Sequence, residues 1–444
     1  MSTFTPIQAV AVAAAFVALL GSTEATADEP LTGPIDRVTI VHEAVRRHPG
    51  VRAAEQRARA TSLSASAAGR LPAPEAMVQV WQVPLARPYA IGDAGMVMVG
   101  VEQSFPSPGA RDARERAGAQ FAAVDREMAT DRARLIHRDA EHAFADYVEA
   151  GARHGIHIEH RTIAERSLAL ARTRHAGGAA ITDVTQAEVE LARMDADVIG
   201  DRTRVVGARA RLNALLARDA MAPLGPPVRI EPEIATWDLA TSIAKAHQSR
   251  PQLRAVDAEI HARTEEARAA AREANLPSFR VAALYFAPVG TVPVNGYGAN
   301  ASMSLPWFWG EAGARREAAM EQVAAARTEA GAAVIPIDAE VAAADSNMRA
   351  AALRLQALRD RALPASHRSY EALWAGYEVG RTEMLALLMA RRAVVDIESE
   401  IVVARASLDH ALAELDASVG AEVPRRTLGP LDPAVLEEGH DHGR

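Results

Sequence analysis

His154, His157 and His160 lie at i, i+3 and i+6, so neighbouring pairs share one face of a predicted helix. Two imidazoles can hold zinc or copper when a third ligand is near, and Glu159 is adjacent. The spacing differs from the i, i+4 of a helical metal pair, and a solvated stripe on a long helix is the better account of it. His440-Asp441-His442 near the end of the chain is a second candidate, set against the reading of a disordered polar terminus. No nucleophile motif, Gly-rich phosphate loop or HExxH sequence is present. Gly109-Ala110-Arg111 opens a helix after a strand and is not a phosphate cradle. The chain therefore reads as a non-enzyme that carries no cofactor.

The elements that position these side chains are dominated by long helices. Aromatic residues make up only 4% of the chain, and 49 basic and 57 acidic side chains are interspersed. That is the composition of solvated helices packing through small residues. A net charge of −8 without basic blocks argues against nucleic acid as a partner. Cysteine is absent, which excludes disulfides, thiolate metal sites and a lipid-modified N-terminal Cys. Residues 9–20 form an apolar run followed by Ala25-Thr26-Ala27, so residues 1–27 read as a secretory signal peptide, although no Lys or Arg precedes the run. The run is too short to span a bilayer, and no other stretch could be a transmembrane helix.

The chain makes one move twice. A long helix ends at Gly177-Gly178, and a heptad helix follows with Val184, Leu191, Val198, Val205 and Leu212 every seven residues. A second long helix ends at Tyr377-Glu378-Val379-Gly380, followed by Leu387, Val394, Ile401, Leu408 and Leu415. Gly177 to Gly380 and Ala187 to Ala390 share one offset, so the chain is a tandem repeat. Its unit is two antiparallel helices meeting at a tight turn. We read residues 28–220 as the first repeat, 221–235 as a Pro-rich linker, 236–420 as the second repeat and 421–444 as a disordered tail. Within each repeat an early helix, broken at Pro49 or Pro251, leads to two strands and then the long helix. In the second repeat Pro336 and Pro364 should interrupt that long helix. The helix from Gly109 to His175 would be about 100 Å long, and the helices 35–70 and 182–218 about half that each. The economical arrangement is a tall cylinder in which each repeat supplies one continuous and one composite column, with strands at one end and Gly turns at the other.

The strands are expected at 76–84, 95–104, 279–287 and 298–305. Val97, Val99 and Val101, and again Ala299, Ala301, Met303 and Leu305, alternate with other residues. Each strand has about the length needed to cross a bilayer at a tilt. Alternation also fits a soluble hairpin with one wet face. Similar strand lengths in an exported chain favour an outer membrane. Four strands cannot close a barrel and open edges are not tolerated in lipid, so subunits would have to pool them: eight in a dimer, twelve in a trimer.

At these residues the chain resembles the TolC-like outer membrane efflux channels. The most specific parts are Ala180-Ile181-Thr182-Asp183-Val184 with Ala187, and Tyr377 with Gly380, Leu385, Leu387, Leu388 and Ala390. Leu71-Pro72-Ala73-Pro74, Gln82-Val83-Pro84 and Gln103-Ser104-Phe105-Pro106-Ser107-Pro108-Gly109 look like the heavy-metal efflux branch. The resemblance implies a mainly α fold with a transmembrane β-barrel. In that fold a homotrimer pools four strands per protomer in outer membrane lipid and sends a long coiled-coil helical tunnel into the periplasm. It further implies docking on a periplasmic adaptor and an inner-membrane pump of the RND type, which supplies the energy. The cargo would be metal ions or small toxic compounds, which fold alone does not decide.

The resemblance puts the periplasmic tip and gate at Gly177, Gly178, Asp183, Tyr377, Gly380, Arg381 and Glu383. Asp183 and Tyr377 fall where gate-closing contacts form in the family; Asp183 is also placed to favour a helix dipole. Arg381 is a possible partner for Asp183. Where well-known members carry two acidic rings above the tip, this chain has Ala386 and Met389. The alternative function is a periplasmic coiled-coil adaptor or scaffold with soluble hairpins. Two hairpin units and only four strands favour the duct.

Overall fold

In a computed structural model of the chain, residues 31–83, 85–89, 94–228, 231–287 and 295–432 are described. The segment read as a signal peptide and the His440-Asp441-His442 motif lie outside them. The first repeat contains α1 (Arg37–Arg47), α2 (Pro49–Ala68), β1 (Glu75–Trp81), β2 (Met96–Phe105), α3 (Ala110–Ala176) and α4 (Ile181–Leu215). A short β3 (Glu233–Ala235) follows, then α5 (Leu239–Ser249), α6 (Pro251–Asn275), β4 (Phe279–Ala287) and β5 (Gly296–Met303). The second repeat ends with α7 (Glu311–Ala357), α8 (Leu363–Glu378), α9 (Met384–Val419) and the short β6 (Arg425–Thr427).

Pro49 and Pro251 both stand at the first position of a helix, where the missing N–H costs nothing. Their preceding residues, His48 and Arg250, are extended, so α1/α2 and α5/α6 are broken columns. Asp36 and Asp238 cap α1 and α5, accepting from the N–H of Thr39 and Thr241. α3 is unbroken over 67 residues, about 100 Å. It carries α2 along one part of its length and α4 along another, which is the composite column expected. Close approach depends on small residues: a Cβ added at Gly118 would lie 2.7 Å from that of Ala65.

Three apolar clusters hold the columns. One joins α1, α3 and α4 through Ile40, Phe144, Tyr147 and Leu212. A second joins α7 and α9 through Val341, Met348, Leu355, Leu408, Leu412 and Leu415. The third lies at the Gly turns. Of the heptad positions, Val184, Leu212, Leu387, Val394, Leu408 and Leu415 are buried, whereas Leu191, Val198 and Val205 are half-covered.

Two expectations need correction. Pro336 does not interrupt α7 but sits on its exposed side. The carbonyl it leaves unpaired, at exposed Ala332, faces water there. Pro364 acts through a wide π turn at Leu358–Ala362, and α8 follows directly. Nor is the segment after Gly420 disordered up to residue 432. Val423 and Leu428 are buried, and β6 pairs antiparallel with β3. Arg425 in this segment is buried and ion-paired with Asp416 of α9, with Glu141 of α3 3.9 Å away and Glu233 of β3 3.7 Å away. Burial pushes the Asp416 carboxyl up to about 6, against the pull of Arg425.

Candidate gate at the paired turns and the uncovered sheet

The four longer strands form one antiparallel sheet in the order β1-β2-β4-β5. Residues directly opposite in an antiparallel ladder share a face. The register Val78↔Val99, Val99↔Tyr285 and Tyr285↔Tyr297 therefore defines one face across all four strands. It carries Ala76, Val78 and Val80; Val97, Val99, Val101, Gln103 and Phe105; Phe279, Val281, Ala283, Tyr285 and Ala287; and Tyr297, Ala299, Ala301 and Met303. This face holds no charge, and Val78, Val99, Val101, Val281, Tyr297 and Met303 are exposed. The opposite face carries Glu75, Gln79, Glu102, Arg280, Asn300 and Ser302. Arg280 and Glu102 lie 3.8 Å apart on it. The charged side chains of the four strands, Glu75, Glu102 and Arg280, all lie on this opposite face, together with Trp81, Met98, Ala282, Leu284 and Phe286, and the uncharged face is uncovered. No helix among the described residues is long and apolar enough to cross a membrane.

At the other end, both Gly turns close in the same way. Ala179 N–H donates to the Arg174 carbonyl at 3.0 Å, and Arg381 N–H to the Gly376 carbonyl at 2.8 Å. These closures put Gly178 at φ +100° and Gly380 at φ +76°, left-handed conformations that glycine adopts without strain. The repeat offset aligns Gly177 with Gly380, but Gly177 has a φ of −88° and Gly178 is the left-handed residue. Ala180 and Glu383 are the extended N-cap residues of α4 and α9, and neither side chain caps its helix.

Tyr377 is the centre of this end. It is 1% exposed, packed with Leu168, Ala171, Val184, Ala187, Met384 and Leu387. Its hydroxyl donates to Asp183 Oδ2 at 3.2 Å. Arg174 Nη1 donates to the Tyr377 carbonyl at 2.7 Å, and its guanidinium stacks 4.1 Å from the ring centre. Burial, then the Asp183 carboxylate, push the Tyr377 hydroxyl above its ordinary pKa, so it remains a neutral donor. The structure thus brings Asp183 and Tyr377 together, with Asp183 also in the first turn of α4. It does not bring in Arg381, whose side chain is exposed and forms no ion pair with Asp183 among the described residues. Glu383 is exposed. Sequence reasoning missed Arg174. The signal was present, because the offset relating Gly177 to Gly380 also relates position 174 to 377.

Just beyond the tip, Glu190, Arg193, Leu385, Leu388, Met389 and Arg392 border a recess of about 320 Å³ between α4 and α9. Met389 and Leu385 are exposed there, and Glu190 is buried.

The histidine triplet does not converge. His157 Nδ1 meets Asp201 Oδ2 of α4 at 2.5 Å, whereas His160 Nε2 meets Glu398 Oε2 of α9 at 2.6 Å. The two imidazoles tie α3 to two different helices. Among the described residues no group of three His, Cys, Asp or Glu side chains is arranged to hold a metal.

Comparison with known proteins agrees with this architecture. Residues 242–421, covering most of the second repeat, match the family described as outer membrane efflux protein. No curated protein matches the chain in sequence. Among solved structures, the chain is similar to the CusC channel at a TM-score of 0.73 and 17% identity, over 88% of this chain and 94% of that one. It is similar to the CmeC outer membrane channel of Campylobacter jejuni at 0.71 and 13%, over 90% and 88%. The open state of the MtrE outer membrane channel of Neisseria gonorrhoeae matches at 0.68 and 18%, over 87% and 89%. At these identities the shared property is the fold, and it extends over both repeats.

Proposed function

We propose that three copies of this chain form a passive exit duct in the outer membrane, with the helical columns as a tunnel in the periplasm. One observation carries the reading: a four-stranded sheet whose uncharged face is uncovered and whose end strands, β1 and β5, have no further strand beside them among the described residues. Lipid satisfies the face, and pairing of β5 with the β1 of a neighbour satisfies the edges. Three such sheets give twelve strands. β4, nine residues and about 30 Å long, reaches across a hydrocarbon band when tilted. An adaptor or scaffold has no use for an uncharged, uncovered sheet of this kind.

In this reading the Gly turns are the periplasmic mouth. Closure rests on Tyr377–Asp183 and Arg174–Tyr377, which link the α3/α4 hairpin to the α8/α9 hairpin. A periplasmic adaptor opens the mouth by binding more tightly to the state in which these links are broken. An inner-membrane pump of the RND type supplies the energy, and the cargo is metal ions or small toxic compounds. Met389, Arg193 and Arg392 near the mouth provide no acidic ring to concentrate cations. Any cation preference of the system then belongs to the pump.

The test is fractionation and conductance. The chain should co-purify with outer membranes as a detergent-resistant trimer and conduct ions in planar bilayers. A soluble monomer without conductance overturns the proposal. For cargo, deletion followed by exposure to copper, silver, zinc, cobalt, cadmium and hydrophobic drugs is decisive, and drug sensitivity with unchanged metal tolerance would remove metals.

A further inference from the structure

The two strand-to-helix junctions that lead into α3 and α7 are built differently. In the first repeat the link is Pro106-Ser107-Pro108-Gly109, and in the second it is Pro306-Trp307-Phe308-Trp309-Gly310. Gly109 and Gly310 have the same backbone, φ +75° and ψ −7°, so both helices start from one geometry. Ser107 is buried and its hydroxyl donates to the Leu276 carbonyl at 2.9 Å, folding the first junction onto the protein. The second junction projects. Trp307, Phe308 and Trp309 are all exposed, Trp309 by 96%.

This is not a loose loop. Phe308 N–H donates to the Leu305 carbonyl at 3.2 Å, and the Phe308 and Trp309 rings lie 5.6 Å apart. Trp309 has a φ of +60°, a left-handed conformation that is strained for a bulky residue. Backbone strain that turns a tryptophan outward calls for a purpose. The junction directly continues β5, whose Met303 ends the uncharged sheet face, and Phe105 and Phe279 end that face on β2 and β4. Phe279, Phe308 and Trp309 border one recess of about 550 Å³ together with Arg114, Arg280 and Arg315. Each arginine has an acidic neighbour: Glu273 pairs with Arg114 and Glu311 with Arg315 at 2.5 Å each, and Glu102 lies 3.8 Å from Arg280.

We propose that Trp307-Phe308-Trp309 is a phospholipid-docking loop, inserted at the headgroup level of the periplasmic leaflet. Amphipathic indole rings next to cations are suited to that layer. The inference rests on the barrel reading above and adds a one-sided anchor: one projecting junction per protomer, with the other folded away.

The test uses the full chain reconstituted in phosphatidylethanolamine–phosphatidylglycerol bilayers. Trp81, Trp237, Trp307 and Trp374 are replaced by Phe, leaving Trp309 as the only tryptophan, excited at the red edge where tyrosine does not absorb. Lipids brominated at the upper acyl carbons should quench Trp309 emission about twofold, and lipids brominated deep in the chain should quench it less. A companion variant retaining only Trp374, near the Gly turns, should be unaffected by either lipid. A conducting trimer whose Trp309 is untouched by any brominated lipid overturns the docking loop and leaves the duct intact, and shielding by a neighbouring protomer would give that result. Absence of both insertion and conductance in the unmodified chain overturns the barrel and the anchor together. A second variant, W307S/W309S, should lose lipid-dependent thermal stabilisation while keeping its trimeric state; unchanged stabilisation counts against the loop.

Discussion

The two repeats differ in ways that separate scaffold from device. Both begin with an Asp-capped helix broken at a proline, both enter their long helix through a left-handed glycine, and both turn at the tip through another. Those shared features fix the columns and their spacing. The first repeat then runs without interruption from Ala110 to Ala176. The second has a π turn at 358–362, and the C-terminal segment leans on it: Leu431 N–H donates to Asp360 Oδ2 at 2.8 Å, and Arg359 Nη2 to the Gly429 carbonyl at 2.8 Å. At the Gly turns the offset places Arg174 opposite Tyr377 and Asp183 opposite Ala386. Duplication supplied a symmetric frame, and the departures from symmetry are where a moving part would be built.

The largest effect should come from the segment that only the second repeat has. Arg425→Ala leaves Asp416 and Glu141 as buried carboxyls without their main partner, at a cost of about 3–5 kcal/mol. A thermal melt of the detergent-solubilised protein checks it, and a shift of only a degree or two would count against the network. Next, proline should be tolerated in one long helix and not in the other. Arg161→Pro, at the offset equivalent of Pro364, should cost about 3 kcal/mol, because α3 there has no π turn to absorb the ring. Pro364→Ala should stay within about 1 kcal/mol. Equal effects from the two would dissolve the contrast between the repeats.

The contacts of the proposed gate rank lower. Arg174→Ala should weaken closure by about 2 kcal/mol and Tyr377→Phe by about 1 kcal/mol. Both would appear as raised single-channel open probability, with the arginine variant the leakier. The reverse order would make Asp183, not Arg174, the principal latch. The smallest effect concerns pH. Asp416 holds its proton up to about pH 6 in the folded chain and only to about 3.9 when unfolded. Its contribution to stability therefore falls as pH rises from about 4 to 6 and is flat above. Asp416→Asn should remove that part of the slope in a melting series across this window.

Much of the fold was legible because its signals are local. Prolines at 49 and 251, the alternating valines of β2 and the seven-residue spacing after each Gly turn each prescribe a geometry by themselves. What escaped was set at long range. β6 is Arg-Arg-Thr, with no periodicity to read, and it is a strand because β3, far away in sequence, offers an edge. Pro336 stayed helical because of which side of α7 it occupies, and that is known only once α7 is packed. At the candidate gate, Asp183 and Tyr377 were flagged from their motifs, whereas Arg174 acts across the repeat boundary and carries no motif. The histidines mislead in a similar way: one helix face in sequence became two interfaces in space.

The alternation of the sheet has a consequence for how such a chain can change its length. Moving any strand by one residue exchanges its faces and would put Arg280 and Asn300 on the uncharged, uncovered face in place of Val281 and Ala301. Insertions within the sheet must come in twos, and those in the heptad helices in sevens. The chain is written in two reading frames of different period, and only the junctions between them are free to drift by single residues. The junction before α7, one residue longer than that before α3, records one such drift.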